Sequence, residues 1–218
     1  MNRKEYFEYL IPGIEPVLNM QGFEFKKSTG SFEKKINDGL LKVLFDFYQV
    51  GLYYEVNIAF IVRIHSVQNI VVNYIRMNLA EAKHTHTLIF LLSDLLNRPS
   101  PFKFRTEAEL DEILLDKFLP FLELQLPVLS ERFSKMENIL QAYFSPNDSY
   151  NPFIYKNLYY NRVVPIVIAK LVAKNDFEKV VEWGRNEMIE LKQKWPGSNE
   201  AELFDLYFEK LVRYLRTT

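Results

Sequence analysis

The chain has 218 residues with 27 Lys+Arg, 28 Asp+Glu and a formal net charge of −1, a balance that gives no electrostatic bias towards nucleic acid or membrane surfaces. It contains no cysteine, which excludes disulfides, thiolate nucleophiles, iron–sulfur clusters and cysteine-ligated zinc. With only 7 glycines, a long glycine-rich phosphate loop is not available.

The hydrophobic share of 48% and the charged share of 25% are those of a folded globular protein. The length admits one large domain or a domain with an extension. Met1–Leu10 is charged and aromatic and lacks the apolar region of a signal peptide. The longest nearly apolar run, Val163–Ala173, holds Pro165 and Lys170 and falls short of the roughly 20 residues needed to span a bilayer. A cytoplasmic protein without membrane attachment is the expectation. Charge divides along the chain, net +3 over residues 1–105 and net −4 over residues 106–218.

In chain order, Glu5–Met20 places Phe7, Leu10, Ile11, Ile14, Val17 and Leu18 near one helical face. Pro12 and Pro16 predict a kink or a split into two short helices, and Gly22 predicts the stop. A meander follows. Phe23 and Phe25 open a strand, Ser28–Gly30 turns, and Phe32, Lys34 and Ile36 alternate in the next strand. Asn37-Asp38-Gly39 reads as a hairpin turn resting on Asp-Gly. Leu41, Val43, Phe45 and Phe47 alternate in a third strand.

Tyr53–Ile64 is the most regular stretch. Tyr54, Val56, Ile58, Phe60, Val62 and Ile64 fall on one side, and Tyr53, Glu55, Asn57, Ala59, Ile61 and Arg63 on the other. Val67–Ile75 extends the pattern towards a fifth strand, Arg76–Ala82 suits a short helix or loop, and His86–Leu92 fits either a strand or a buried helical turn. From Thr106 the period becomes helical. Thr106 and Glu109 form a capping box, followed by Leu110, Ile113, Leu114, Phe118, Leu119 and Leu122. A helix through Leu129, Phe133, Met136, Leu140 and Tyr143 comes next. Ser145–Pro152 is the clearest linker. Beyond it lie helices at about 155–174, restarting near Pro165, at 176–194, capped by Asp176, and at 199–216, with Asn199 and Glu202 as a second capping box.

The expected fold is α+β, an antiparallel sheet of about five strands with an N-terminal helix, followed by an all-helical C-terminal half. The expected division is an α+β sheet region at 1–105, a helical continuation of the same domain at 106–145, and a C-terminal helical extension at 153–218.

Gly22-Phe23-Glu24-Phe25-Lys26-Lys27 with Phe32-Glu33-Lys34 resembles the GF-x-K-K…F-x-K opening of an uncharacterised bacterial family of unknown function. Tyr54-Glu55-Val56-Asn57-Ile58 is similar to that family's V-N strand, and Leu110–Tyr143 to its helical part, so the resemblance covers about residues 1–145. It implies a sheet with flanking helices in a small bacterial cytoplasmic protein, and it carries no catalytic residues. An immunity-like role is an analogy at the level of the fold.

Candidate chemistry is sparse. Glu81, His84 and His86 form E-x-x-H-x-H, which on a strand could offer a metal two imidazoles and a carboxylate; two solvated histidines is the plainer reading. Asp46 and Glu55 lie on adjacent predicted strands, but the lysine expected of a metal-dependent nuclease core is missing after Glu55. No nucleophile elbow, Walker motif or dinucleotide fingerprint is present. Lys26, Lys27, Lys34 and Lys35, with Phe25 and Phe32 between them, could grip single-stranded nucleic acid or simply guard an edge hairpin. The second face of Tyr53–Ile64, with Tyr53, Asn57 and Arg63, suits a protein partner unless the C-terminal helices bury it. Tyr150, Phe153, Tyr155, Tyr159 and Tyr160 either dock the C-terminal helices or line a groove. The leading functional expectation is a non-enzymatic protein-interaction module without cofactor. A small metal-dependent hydrolase and a nucleic-acid binder are the alternatives.

Overall fold

The computed structural model describes residues 3–74, 86–96, 101–145 and 160–218. Arg76–Ala82, Ser145–Pro152 beyond Ser145, and the aromatic residues Tyr150, Phe153, Tyr155 and Tyr159 lie outside the described residues. The chain packs as two compact units, one of Met1–Val62 with Leu88–Ser134, the other of Arg63–Thr87 with Lys135–Thr218.

The first unit begins with helix α1, Arg3–Met20, which buries Tyr6, Leu10, Ile14 and Leu18 at four-residue spacing. It runs through Pro12 and Pro16 as one helix, where a kink or split was expected. Both prolines are on the exposed side, so the carbonyls deprived of their partners face water and the buried stripe stays intact. A Schellman motif ends the helix. Gly22 has φ +81°, its N–H donates to the Asn19 carbonyl at 3.0 Å, and the Phe23 N–H donates to the Leu18 carbonyl at 3.0 Å.

The sheet has six strands in the order β1 (Glu24–Lys26), β2 (Ser31–Ile36), β3 (Gly39–Val50), β4 (Tyr53–Ile64) and β5 (Leu88–Leu91), with β6 (Phe102–Phe104) also pairing with β4. The β2–β3 loop is Asn37-Asp38, because Ile36 pairs with Gly39. The glycine of that hairpin is therefore a buried strand residue and not a turn residue. Phe32, Leu41, Val43, Phe45, Phe47 and Val56 form the core face, packed ring against ring with Phe118 from the helical segment at 5.9 Å from Phe45.

Leu110, Leu114, Phe118, Leu122, Leu126 and Ser130 recur every four residues along that segment. On an ideal α-helix each such step overshoots a full turn by about 40°, so five steps would rotate the stripe by about 200°. The segment is α4 (Glu107–Ile113), a π turn at Leu114–Phe118, a second at Phe121–Gln125, and α5 (Leu126–Phe133). Each π turn takes in one extra residue and so returns about 100°, which keeps the stripe on the core. The second π turn leaves the Leu122 carbonyl facing Pro127, which has no N–H. Gln21 Nε2 donates to that carbonyl at 2.5 Å. The capping box at Thr106 and Glu109 is formed as expected.

In the second unit, Val67 does not continue the sheet. His65–Val71 is helix α2, followed by a 3-10 turn to Tyr74, with Val67 and Val71 buried one turn apart. The described helices that follow are α6 (Met136–Phe144), α7 (Tyr160–Val172), α8 (Phe177–Lys194), α9 (Asn199–Leu203) and, after a π turn at Phe204–Phe208, α10 (Glu209–Thr217). Val163, Val164, Ile166, Val167, Ile168 and Ala169 are all fully buried, which makes α7 the central helix of this unit. It passes through Pro165 without restarting. Gly184 of α8 lets the helix approach α7 closely, since a Cβ there would lie 2.8 Å from Ile166 Cδ1 and would force that side chain to shift. Asp176 precedes α8 without capping it and instead accepts from Lys179 at 3.0 Å. Ser198, not Asn199, caps α9, its Oγ accepting from the Ala201 N–H at 3.2 Å.

Replacing Gly22 by Ala should cost about 1 kcal/mol in denaturant unfolding, the penalty of a Cβ in the left-handed region. Gly30→Ala, also at positive φ but outside the helix stop, should leave the α1 helical signal in circular dichroism unchanged.

Candidate functional site

Asn57 is only 5% exposed. On its outer edge β4 pairs with β6 through Tyr54–Val56 and with β5 through Ala59–Val62, so Asn57 falls at the junction. Continuing the β4–β5 register sets Asn57 opposite Ser93, where the chain has already turned into the short helix α3, Leu92–Leu95. The Asn57 amide takes over there. Its Nδ2 donates to Ser93 Oγ at 2.7 Å, and its Oδ1 accepts from the Ser93 N–H at 3.2 Å and from the Ile58 N–H at 3.0 Å. Asn57 is thus an internal cap and strand splice rather than part of a surface for partners.

Tyr53 and Glu55 stay near the surface, and Lys103 of β6 serves both. Its ammonium lies 3.6 Å from Glu55 and 4.7 Å from the Tyr53 ring centroid. Asp46 accepts a hydrogen bond from the Tyr48 hydroxyl. Glu55 and Asp46 are therefore each engaged within the face, and the lysine absent after Glu55 in sequence arrives from another strand.

The four lysines of the first hairpin do not make one patch. Lys34 and Lys35 are consecutive on β2 and project to opposite faces. Lys34 lies 5.8 Å from the Phe23 ring centroid, and Lys26 pairs with Glu24 at 2.7 Å. Lys42 of β3 is held by Glu33 at 3.1 Å. Lys27 and Lys35 are exposed.

Glu81 and His84 lie outside the described residues, and among the described residues no three His, Asp or Glu side chains gather as a metal site would require. His86 is half-buried in the second unit. Burial, and after it the charge of Arg63, holds its imidazole below the ordinary histidine range. Beside it in sequence, Thr87 is buried, and its Oγ1 accepts from the Ile64 N–H at 2.9 Å and from Gln68 Nε2 at 3.1 Å.

A feature that sequence reasoning missed lies wholly within the second unit. A groove of about 490 Å³, open along one side, is lined by Leu140, Phe144, Val172, Val180 and Trp183 with Glu137, Gln141, Asp176 and Lys179 at its polar margin. Its volume is in the range of real ligand pockets. Phe144 and Trp183 meet edge to face at 4.8 Å and close one end, while Val172 and Ala173 lead into Asp176 at the other. Behind Trp183, Arg162 lies 5.5 Å from the indole and pairs with Glu187 at 2.8 Å, fixing the wall. The heptad-like apolar spacing of α6 is visible in the sequence, but its pairing with Val180 and Trp183 is not.

Comparison with protein-family models, with curated proteins and with solved structures finds no match to this chain. Among the described residues no helix is long and apolar enough to cross a membrane.

Asn57→Ala should destabilise the protein by about 2–3 kcal/mol, because the Ser93 and Ile58 groups it satisfies stay buried; urea unfolding measures this. For His86 the sign is set by its lowered folded value. Its contribution is fully present above the ordinary histidine pKa of about 6.5 and is lost as pH falls below it, when the unfolded chain takes up a proton that the folded chain resists. The melting temperature should therefore fall between pH 7 and 5, and His86→Gln should flatten that fall.

Proposed function

We propose that this chain is a non-enzymatic protein-interaction module that binds its partner in the groove between α6 and α8. The observation that carries the reading is the groove itself, a trench walled by aliphatic and aromatic side chains with its polar groups at the rim, the arrangement expected of a buried hot spot with a polar border. Catalysis has less to recommend it. The titratable groups around the groove, Glu137, Asp176 and Lys179, include no nucleophile held by a base. Strand addition is also disfavoured as a binding mode, since the outer strands β1, β5 and β6 have 3, 4 and 3 residues, too short to template an added strand. A bacterial, cytoplasmic setting and an immunity-like role belong to the same proposal and rest on the resemblance of residues 1–145; a toxin-like gene beside this one would support them.

The test is retention of a partner by immobilised protein. Leu140→Asp and Val172→Asp, both at half-buried positions, should each lower retention at least tenfold while melting within a few degrees of the parent. Equal retention by parent and variants would remove the groove from the function.

A further inference from the structure

We infer that the occupant of the α6–α8 groove is one face of a partner's amphipathic α-helix, with a basic side chain set against Glu137. This rests on the groove being the binding surface.

The first support is the spacing of the walls. On α6 the lining residues are Glu137, Leu140, Gln141 and Phe144; on the α8 side they are Asp176, Lys179, Val180 and Trp183. Both sets are i, i+3, i+4, i+7. Each wall is thus two helical turns long, about 10 Å at 1.5 Å per residue. Two ladders with the same helical period leave the space that the ridges of a third helix fill, and helix-in-groove recognition uses anchors at this same period. Both walls pack on α7, so the trench is a preformed slot and not a gap between mobile loops. An extended peptide, with its period of two, would match neither wall.

The second support is charge. Lys179 Nζ is bound to Asp176 Oδ1 at 3.0 Å, which makes that end of the rim neutral. The neighbouring Glu178 is gripped by two nitrogens of Arg216 at 3.0 and 2.7 Å. Among the described residues, Glu137 supplies the negative charge left over at the rim. Lys or Arg on the occupant, beside its apolar stripe, complements it, while an acidic residue there would be repelled.

The experiment pans a display library of helical peptides about three turns long, randomised on one face, against the full chain and against its Glu137→Lys variant. On the parent chain, enriched peptides should carry large apolar residues at i, i+3 or i+4, and i+7, with Lys or Arg at the flank, and should become helical on binding. Glu137→Lys should weaken them about fivefold at low salt, in line with a rim ion pair, and should select acidic flanks instead. Enrichment of extended or Pro-rich sequences, identical selection by both chains, or an apolar dye that binds while no peptide does would overturn the inference. So would dimerisation of the chain abolished by Leu140→Asp, which would make a second copy the occupant. Failure of the functional reading is distinguishable. If Leu140→Asp leaves partner retention intact, the groove is not the binding surface. If Leu140→Asp abolishes retention and Glu137→Lys changes nothing, only the basic-helix occupant falls.

Discussion

The outer edge of β4 is shared by two short strands, and the first unit depends on how that edge is made continuous. Three residues of β6 and four of β5 cannot cover a strand of 12, and the gap between them falls at a buried position. A buried backbone N–H left open there would cost as much as a lost hydrogen bond. The Asn57 side chain closes the gap with three hydrogen bonds, and in doing so it also caps the turn that leads away from β5. An amide carries both a donor and an acceptor in one plane, which is what this gap requires.

A related economy governs the helical cover of the sheet. The apolar stripe from Leu110 to Leu126, continued by buried Ser130, is spaced for a helix wider than α, and the two π turns supply that width. The cost is an orphaned carbonyl at Leu122, which Gln21 meets from the end of α1. The Schellman stop at Gly22 fixes where Gln21 stands, so a local glycine signal and a distant proline are joined by one hydrogen bond. In the second unit the matching device is Gly184, whose missing side chain lets α8 close on Ile166 of α7. That approach sets Trp183 against Arg162, so the wall of the groove is packed from behind.

Much of the fold was legible. Alternation in β2, β3 and β4, the Gly22 stop, the Thr106–Glu109 capping box and the helical second half all rest on neighbours within a few residues, where period and turn chemistry act directly. The errors have physical causes. Pro12 and Pro16 did not break α1 because both sit on its exposed side while the other side of each turn is buried, and Pro165 lies within a turn of α7 whose neighbours are all fully buried, so packing holds the helix through it. Val67–Val71 carries β-branched residues yet is helical, because packing overrode propensity. Three-residue β6 has too little pattern to be seen. The candidate site was hardly legible: Tyr53 and Arg63 were read from alternation along β4 and the four lysines from their clustering across the first hairpin, but Asn57 proved internal, and the groove is walled by α6 and the α8 side, some 40 residues apart, with Val172 of α7 between them.

By itself the sequence determined the α+β class, the N-terminal helix, the antiparallel meander and the absence of any thiol chemistry, because composition and short-range periodicity act along the covalent chain. Only the tertiary structure decided that Asn57 splices two strands, that Lys103 supplies Glu55 with its partner, and that two i, i+3, i+4, i+7 ladders face one trench. Those are meetings of residues distant in sequence, fixed by burial and hydrogen-bond satisfaction, and no local pattern encodes them.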